Sequence, residues 1–188
     1  MSVGYDLYLK LLEEAVLEEK GEAPAKRREC TADLSVAASI PDRYVPSPEQ
    51  RMDLYRRIAR IRTSEDADDM TDELIDRFGD PPRTVNNLIS VALLRGRAAD
   101  CAISDISQKG MSILFTLDEF DLEHISQAAG LFPGRVLFSP GDKAVLTLKL
   151  KKGEDPLRMA SKLVESYQAL IPPEAAKSPG PEGGGGKD

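Results

Sequence analysis

One segment, "TSEDADDMTDELIDRFGDPP" (Thr63–Pro82), holds the residues whose types and spacing could do chemistry. Between Ser64 and Asp80 it contains eight acidic residues and one basic residue, Arg77, for a net charge of −7, which equals the formal charge of the whole chain. The rest of the chain is therefore balanced, and the acidity is a local feature. Carboxylates at this density can bind a divalent cation, face a basic partner, or face water.

The spacing of these carboxylates does not favour a metal site. The stretch "DADDMTDE" lacks the Gly and the terminal Glu spacing of an EF-hand loop, and helix-forming residues run through it. On a helix, at about 100° per residue, the apolar residues share one side: Ala67, Met70, Leu74 and Phe78. The opposite side is acidic and consists of Asp69, Asp72, Glu73 and Asp76, with Arg77 at its margin. Two interpretations stay open, a solvated face and a docking surface for a basic partner.

The helix predicted just before this segment, within "PSPEQRMDLYRRIARIR", carries the opposite charge. Guanidinium groups contact phosphates, so a weak nucleic-acid contact is an alternative function, with these candidate residues: Arg43, Arg51, Arg56, Arg57 and Arg60. Ion pairs along a solvated helix explain the same arginines without a ligand. The acidic net charge argues against tight nonspecific DNA binding.

No motif for catalysis or cofactor binding is present in the sequence. The tail "GPEGGGGKD" resembles a phosphate-binding loop, but Pro181 replaces its first Gly and Asp188 replaces its Ser or Thr. His124 is the sole histidine, and Cys30 and Cys101 form no CxxC pair, so we expect no catalytic triad, no metal and two reduced thiols. The sequence therefore predicts a non-enzyme without a cofactor, and an enzyme with an unrecognised site stays as a remote alternative.

Composition divides the chain into four parts. An amphipathic helix is predicted over 3–20, a flexible connector over 21–30, a folded domain over 31–171 and a disordered Pro/Gly-rich tail over 172–188. No apolar run approaches about 18 residues and no signal-peptide pattern begins the chain, so we expect a cytoplasmic protein that does not contact the membrane.

The folded domain is predicted to be α+β, with a helical layer packed on a small, mainly antiparallel sheet built from two hairpins plus an N-terminal strand. The strand alternates over 32–40, and three helices follow over 48–62, 64–78 and 82–99. The first hairpin turns near Gly110, with Met111 and Ile113 on its apolar face, and the second turns at Pro140–Asp142. A short helix separates the hairpins, and the last helix is predicted over 155–171.

Three stretches carry a resemblance to a known family: "GYDLYLKLLEEAV", "IPDRYVPSPEQRMDLYRRIARI" and "DELIDRFGDPPRTVNNLISVALLR". They resemble the C-terminal module of the bacterial transcription-repair coupling factors, the Mfd family. The similarity extends from about Val3 to Ala99, and continues to about Ile171 as a shared order of elements.

The resemblance implies a regulatory interaction domain of a larger protein. Members of the family are ATP-driven DNA translocases, using ATP and Mg, that displace stalled RNA polymerase and recruit UvrA for excision repair; DNA and ATP are bound by other domains. The C-terminal module docks on a UvrB-like module of the same polypeptide, masks the UvrA-binding surface and restrains the translocase. The family's contact residues correspond to Glu73, Asp76 and, at the edge, Arg77. Asp68, Asp69 and Asp72 are not implied by the family motif and are expected to face solvent, although Asp69 and Asp72 border the docking surface. A contact with RNA polymerase through the Arg-rich helix over 48–62 stays open as an alternative, beside the nucleic-acid contact.

Overall fold

The structure is a computed structural model that describes residues 28–172. Its strands are β1 (Thr31–Asp33), β2 (Ile103–Lys109), β3 (Ser112–Leu117), β4 (Val136–Ser139) and β5 (Ala144–Lys149). Its helices are α1 (Pro48–Ala59), α2 (Ser64–Phe78), α3 (Arg83–Asp100), α4 (Leu122–Gly130) and α5 (Pro156–Leu170). The predicted N-terminal helix, most of the predicted connector and the predicted tail lie outside the described residues.

The strands form one sheet in the order β1-β2-β3-β5-β4. β2 and β3 form the first hairpin and β4 and β5 the second, and the two hairpins join through an antiparallel β3–β5 pair. β1 runs parallel to β2, which the long α1–α3 connection allows. The predicted α+β class, with two hairpins and an N-terminal strand, is confirmed.

Side-chain oxygens fix where four of the five described helices begin. Ser47 accepts a hydrogen bond from the Gln50 backbone N–H at the start of α1, and Asp155 accepts one from Leu157 at the start of α5. Thr63 and Asp66 form a reciprocal capping box at the start of α2. Each cap satisfies a backbone donor that the helix leaves unpaired. The helix starts predicted from the sequence therefore agree closely with the observed ones.

The core lies between one face of the sheet and the helices. Ile106, Phe115 and Leu146 lie side by side across β2, β3 and β5 and are buried. α3 contacts both β1 and β2 and also packs against the other three long helices, so it is the central helix of the layer. The opposite face of the sheet is uncovered by the helices described and carries small or partly exposed side chains such as Ser107, Leu114 and Thr147.

The segment after β1 differs from its predicted form. An alternating pattern predicts a strand over 32–40, but the ladder ends at Asp33. The Val36 N–H instead donates to the Leu34 carbonyl at 2.8 Å, and the Ser39 N–H donates to the Thr84 carbonyl at 3.2 Å. The chain therefore turns from the sheet toward the start of α3, and its inward side chains still reach the core.

Two further details differ from expectation. Met111 lies in the β2–β3 turn and is 52% exposed, so it does not share the buried face of Ile113. Cys30, at the end of the predicted connector, is buried, and its carbonyl accepts a hydrogen bond from Arg95 Nε at 2.7 Å. None of the helices within residues 28–172 is long and apolar enough to cross a membrane.

Gly96 allows α3 to approach the end of α1 closely. A Cβ atom at Gly96 would lie 2.8 Å from the Arg62 Cα and 3.2 Å from the Ile61 carbonyl oxygen, both of which are backbone atoms. We expect Gly96→Ala to lower the free energy of unfolding by about 1–3 kcal/mol, because the backbone must move to accept the methyl group. Urea titration would measure the loss.

Gly130→Ala is the matched control, because Gly130 is also helical and a methyl group added there would have nothing within 4 Å. This substitution should leave stability unchanged or raise it by up to about 1 kcal/mol. Equal losses from both alanines would show that the α1–α3 contact is not tight.

Candidate protein-docking site

The acidic helix α2 is positioned by its first turn and by its buried side. Asp66 accepts hydrogen bonds from the backbone N–H groups of Arg62, at 3.0 Å, and Thr63, at 3.1 Å. These bonds lower the pKa of Asp66, so this carboxylate belongs to the helix cap rather than to the docking candidates. Ala67, Met70 and Leu74 are buried, as the helical pattern predicts.

An aromatic contact holds the C-terminal end of α2. The rings of Tyr44 and Phe78 lie 5.8 Å apart, and the Tyr44 hydroxyl donates to the Gly79 carbonyl at 2.8 Å. Gly79 has a φ of 82°, which lets the chain leave the helix directly after Phe78. Both ends of the acidic helix are therefore fixed to the domain.

The outward side of α2 carries exposed carboxylates, and one exposed apolar residue lies at the margin of this side. Asp69, Asp72 and Asp76 are exposed, and no ion pair is recorded for them within the described part of the chain. Ile75 is 44% exposed on the same helix, three residues after Asp72 and next to Asp76. An exposed apolar side chain next to charged ones offers a partner both an apolar and an electrostatic contact.

Glu73 differs from these three residues because its charge is already paired. Its carboxylate accepts hydrogen bonds from both terminal nitrogens of Arg57 on α1, one at 2.8 Å through Oε1. Arg77 Nη1 donates to the same Oε1 at 2.9 Å. The Arg57 hydrogen bonds, together with Arg77, lower the pKa of Glu73 from 4.5 to about 2, although partial burial opposes the shift.

Arg57, Glu73 and Arg77, called the arginine clamp below, join α1 to α2. The Glu73 side chain is 31% exposed, and the Arg77 guanidinium also lies 4.9 Å from the centre of the Phe78 ring. The sequence places Glu73 on the outward acidic side, whereas the structure places it at the edge with its charge neutralised. Of the predicted site residues, Asp69, Asp72 and Asp76 remain available as unpaired carboxylates.

The sequence prediction missed two features of this surface. The Arg57–Glu73 pair joins residues on different helices, and neither helix's periodicity reveals it. Ile75 lies at the margin of the acidic side, about 60° from Asp72 and about 100° from Asp76 on the helical wheel, and this position was the available signal.

The arginines of the alternative nucleic-acid site do not act as one group. Arg51 donates to the Val45 carbonyl at 2.7 Å and the Pro46 carbonyl at 3.0 Å, and Arg57 belongs to the arginine clamp. Arg43, Arg56 and Arg60 are exposed. Arg51 and Arg57 are thus committed to internal contacts.

Among the described residues, α3 and α5 border a concave, polar groove of the general kind that an enzyme site requires. It has a volume of about 450 Å³ and is lined by polar residues that include Ser90, Arg97, Ser161 and Lys162. Arg97 is bound to Glu165 and to Ser64, each at 2.5 Å. The side chains lining this groove include no histidine or cysteine to act as a base or nucleophile.

The two thiols lie away from solvent. Burial raises the pKa of both Cys30 and Cys101 to about 12, which suppresses the reactive thiolate. Within residues 28–172, no three His, Cys, Asp or Glu side chains are grouped to hold a metal ion.

The depressed pKa of Glu73 makes the clamp's contribution pH-dependent. The stabilisation is present above pH 4.5, the ordinary value, and is lost as the pH falls toward about 2. We expect Glu73→Gln to lower the free energy of unfolding by about 1 kcal/mol at pH 7, a figure reduced for solvent screening. Urea titrations of both proteins at several pH values should show the difference shrinking through this range.

Asp72→Asn serves as the control, because it removes an exposed carboxylate of the same helix that has no recorded ion pair. Its free energy of unfolding should change by less than about 0.5 kcal/mol at pH 7. A Glu73→Gln deficit of equal size at pH 7 and at pH 3 would mean that packing, and not charge, holds the clamp together.

Comparison with known proteins gives a consistent result. The TRCF domain model matches residues 34–127. The transcription-repair-coupling factor of Bacillus subtilis (strain 168) is 33% identical over 143 residues, which cover 76% of this chain and 12% of that protein. The one from Staphylococcus haemolyticus (strain JCSC1435) is 31% identical over 171 residues, which cover 90% of this chain and 14% of that protein.

The fold has a solved counterpart. A crystal structure of the C-terminal domain of a transcription-repair coupling factor superimposes with a TM-score of 0.69 at 18% identity, covering 77% of this chain and 95% of that one. The chain spans about an eighth of the length of the curated relatives named above. The TRCF model, the related sequences and the shared fold together show that this chain belongs to the transcription-repair-coupling factor family.

Proposed function

We propose that this chain is a non-catalytic regulatory domain that docks, through the outward side of α2, on the UvrB-like module of its parent protein. The observation that carries the proposal is a helix fixed at both ends that presents unpaired Asp69, Asp72 and Asp76 on its outward side, with the exposed Ile75 at the margin of that side. A basic surface with an apolar recess complements this arrangement. The family resemblance of the "DELIDRFG" motif supports the same partner.

The arginine clamp gives Glu73 a different role from its neighbours Ile75 and Asp76 in this proposal. Glu73 is already neutralised by two guanidinium groups, so a partner arginine must compete with Arg57 or Arg77 for it. Asp76, one position from Ile75 and without a recorded ion pair among the described residues, offers its full charge. Asp76 and Ile75 then supply the direct contacts, while Glu73 holds α2 against α1.

A weak contact is enough to regulate the parent protein. Modules joined by a short linker meet at an effective concentration on the order of 1 mM. A contact with a Kd of about 10 μM would then be closed roughly 100:1, a bias of about 2.7 kcal/mol. Docking at this strength would mask the UvrA-binding surface and restrain the translocase, yet engagement of RNA polymerase could still open it.

The other activities of the parent belong to other modules in this proposal. ATP, Mg and DNA would be bound outside this chain, which covers only 12–14% of the relatives' length. UvrA and RNA polymerase would be affected indirectly, through the open or closed state of the docked module.

The docking surface can be tested with the separately purified UvrB-like module of the parent protein. We expect Asp76→Lys to weaken binding at least about tenfold, because it places a like charge against a basic surface. Binding of the unchanged chain should also weaken between about 0.05 M and about 0.2 M salt, since screening reduces the attraction of exposed charges. Isothermal titration calorimetry would measure both effects, with circular dichroism to confirm folding.

Asp142→Lys is the matched control, because it makes the same charge change at an exposed position in the second hairpin turn. It should leave the affinity within about twofold. If both lysine variants bind as well as the unchanged chain, the docking proposal is wrong. Glu73→Lys is unsuitable for this test, since it would disrupt the arginine clamp as well as any contact.

The alternative nucleic-acid function requires the exposed arginines. Because Arg51 and Arg57 are committed internally, we expect no gel shift with a short DNA duplex even at about 0.05 M salt. A shift at low salt that disappears in an Arg43→Ala, Arg56→Ala double variant would favour the nucleic-acid alternative instead.

A further inference from the structure

The uncovered face of the sheet has an uneven charge distribution. Its carboxylates, Asp33 and Asp105, lie on β1 and β2, and Asp105 accepts a hydrogen bond from the Thr31 hydroxyl at 2.6 Å. β3, β4 and β5 contain no acidic residue. Lys109 and Lys149, the last residues of β2 and β5, are exposed, and no ion pair is recorded for either within residues 28–172. A chain of net charge −7 therefore carries an unneutralised basic region on this face.

Strand pairing sets the positions of these lysines. Lys109 pairs with Ser112, and Ser112 pairs with Lys149, so the three residues form one row across β2, β3 and β5, called the lysine row below. Side chains alternate along a strand, and the neighbouring Ile113 and Leu148 are buried, so the side chains of the lysine row point to the uncovered face. Two strand spacings of about 4.8 Å place the lysines about 9.6 Å apart. The face thus presents two like charges at a spacing that the sheet fixes.

A second row, two residues further along each strand, is partly apolar. Leu114 and Leu137 lie on either side of Thr147, which pairs with both. Leu137 is 58% exposed and Leu114 is half-buried. The two rows are about 7 Å apart. The face therefore offers apolar contacts beside its positive charges.

The composition of this face fits a protein segment better than a nucleic acid. Sheets that bind single-stranded nucleic acids stack the bases on outward aromatic side chains. The outward positions of the five described strands include no aromatic residue, and the net charge of −7 repels a polyphosphate. A partner that carries both carboxylates and apolar side chains would satisfy both rows.

We propose that the uncovered face of the sheet docks an acidic amphipathic helix of a partner protein. A helix is about 10 Å in diameter, wide enough to contact both rows at once. Two carboxylates seven residues apart on one side of a helix are separated by about 10.5 Å, close to the spacing of Lys109 and Lys149. Apolar residues on the adjoining side then contact Leu114 and Leu137. This surface takes a partner of the opposite charge from the one proposed for α2.

NMR titration of the isotope-labelled, full 188-residue chain provides the first test. The probe is an alanine-rich helical peptide of about 20 residues, with two Glu seven positions apart on one side and two Leu seven positions apart on the adjoining side. We expect shifted amide signals in β2, β3 and β5, a Kd of roughly 0.1–1 mM, and weaker binding as salt rises from about 0.05 M to about 0.2 M.

A second peptide with Gln in place of both Glu tests the charge without altering the protein. It should bind at least about fivefold more weakly, because it removes both carboxylates that face the lysine row. Equal binding of the two peptides would overturn the proposal.

A Lys109→Glu, Lys149→Glu double variant should weaken binding of the Glu peptide at least about fivefold, because it places like charges against the carboxylates. The matched control is a Lys143→Glu, Arg158→Glu double variant, which makes the same charge change at exposed positions in the second hairpin turn and on α5. It should leave the affinity within about twofold. Equal losses would show that only the net charge attracts the peptide, and the proposal would be wrong.

Leu137→Ser tests the apolar contact. It should weaken binding at least about twofold at both salt concentrations, because salt does not screen the loss of an apolar contact. Leu131→Ser is the control, since Leu131 is also 58% exposed but lies outside the strands. An unchanged affinity in Leu137→Ser would mean a purely electrostatic contact and would contradict docking of an amphipathic helix.

The same spectra would reveal other occupants. A short DNA duplex that shifts the lysine row where the Glu peptide does not would assign the face to phosphates. Shifts that grow with the concentration of the chain alone, and vanish in Asp76→Lys, would assign it to the acidic helix of a second copy. Either result would overturn the proposed partner.

Discussion

Burial of α3 is the constraint on which the rest of the structure depends. Nine of its 18 residues are buried, because the helix lies between the sheet and the other long helices. Gly96 brings it against the backbone of Ile61 and Arg62. That contact fixes the junction at which α1 ends and the Thr63 cap begins α2. The direction of the acidic helix, and hence the placement of its exposed carboxylates, follows from how closely α3 packs.

The arginine clamp divides a uniformly acidic helix into two kinds of carboxylate. Glu73 shares its charge with Arg57 and Arg77, whereas Asp69, Asp72 and Asp76 keep theirs exposed to solvent. A paired charge contributes mainly geometry, since any new partner must first displace an existing one. An unpaired exposed charge contributes steering and specificity. A motif of adjacent acids therefore contains both positioning and contact residues.

The domain presents two surfaces of different physical character. The α2 surface combines charges with one apolar residue, so its attraction depends on a basic partner and on ionic strength. The uncovered face of the sheet has the opposite charge, with Lys109 and Lys149 beside Leu114 and Leu137, so it favours an acidic partner. Since the two surfaces belong to different elements, occupation of one does not require the other.

Local patterns in the sequence predicted most of the fold. The helix starts predicted at 48, 64, 82 and 155 lie within one residue of the observed ones, alternation identified both hairpins, and the apolar stripe of the acidic helix gave the buried side of α2. The family resemblance came from the same residues. Each of these signals extends over only a few residues, so a short stretch of sequence contains all the information needed to recognise it. The strand predicted over 32–40 was wrong in length because its backbone pairs with residues of α3: Ser39 with Thr84, 45 residues away, and Ala37 with Asn87, 50 residues away. No local pattern encodes partners at that distance.

By itself the sequence determined the elements, their buried sides and the acidity of α2. Only the tertiary structure decided that Glu73 is paired across helices, that Arg51 and Arg57 are committed internally, and that β4 lies at an edge. These outcomes depend on which distant side chains and strands meet. These contacts form when the helices and the sheet pack around α3. Close packing admits a single arrangement of the elements, and that arrangement determines which side chains and strands pair.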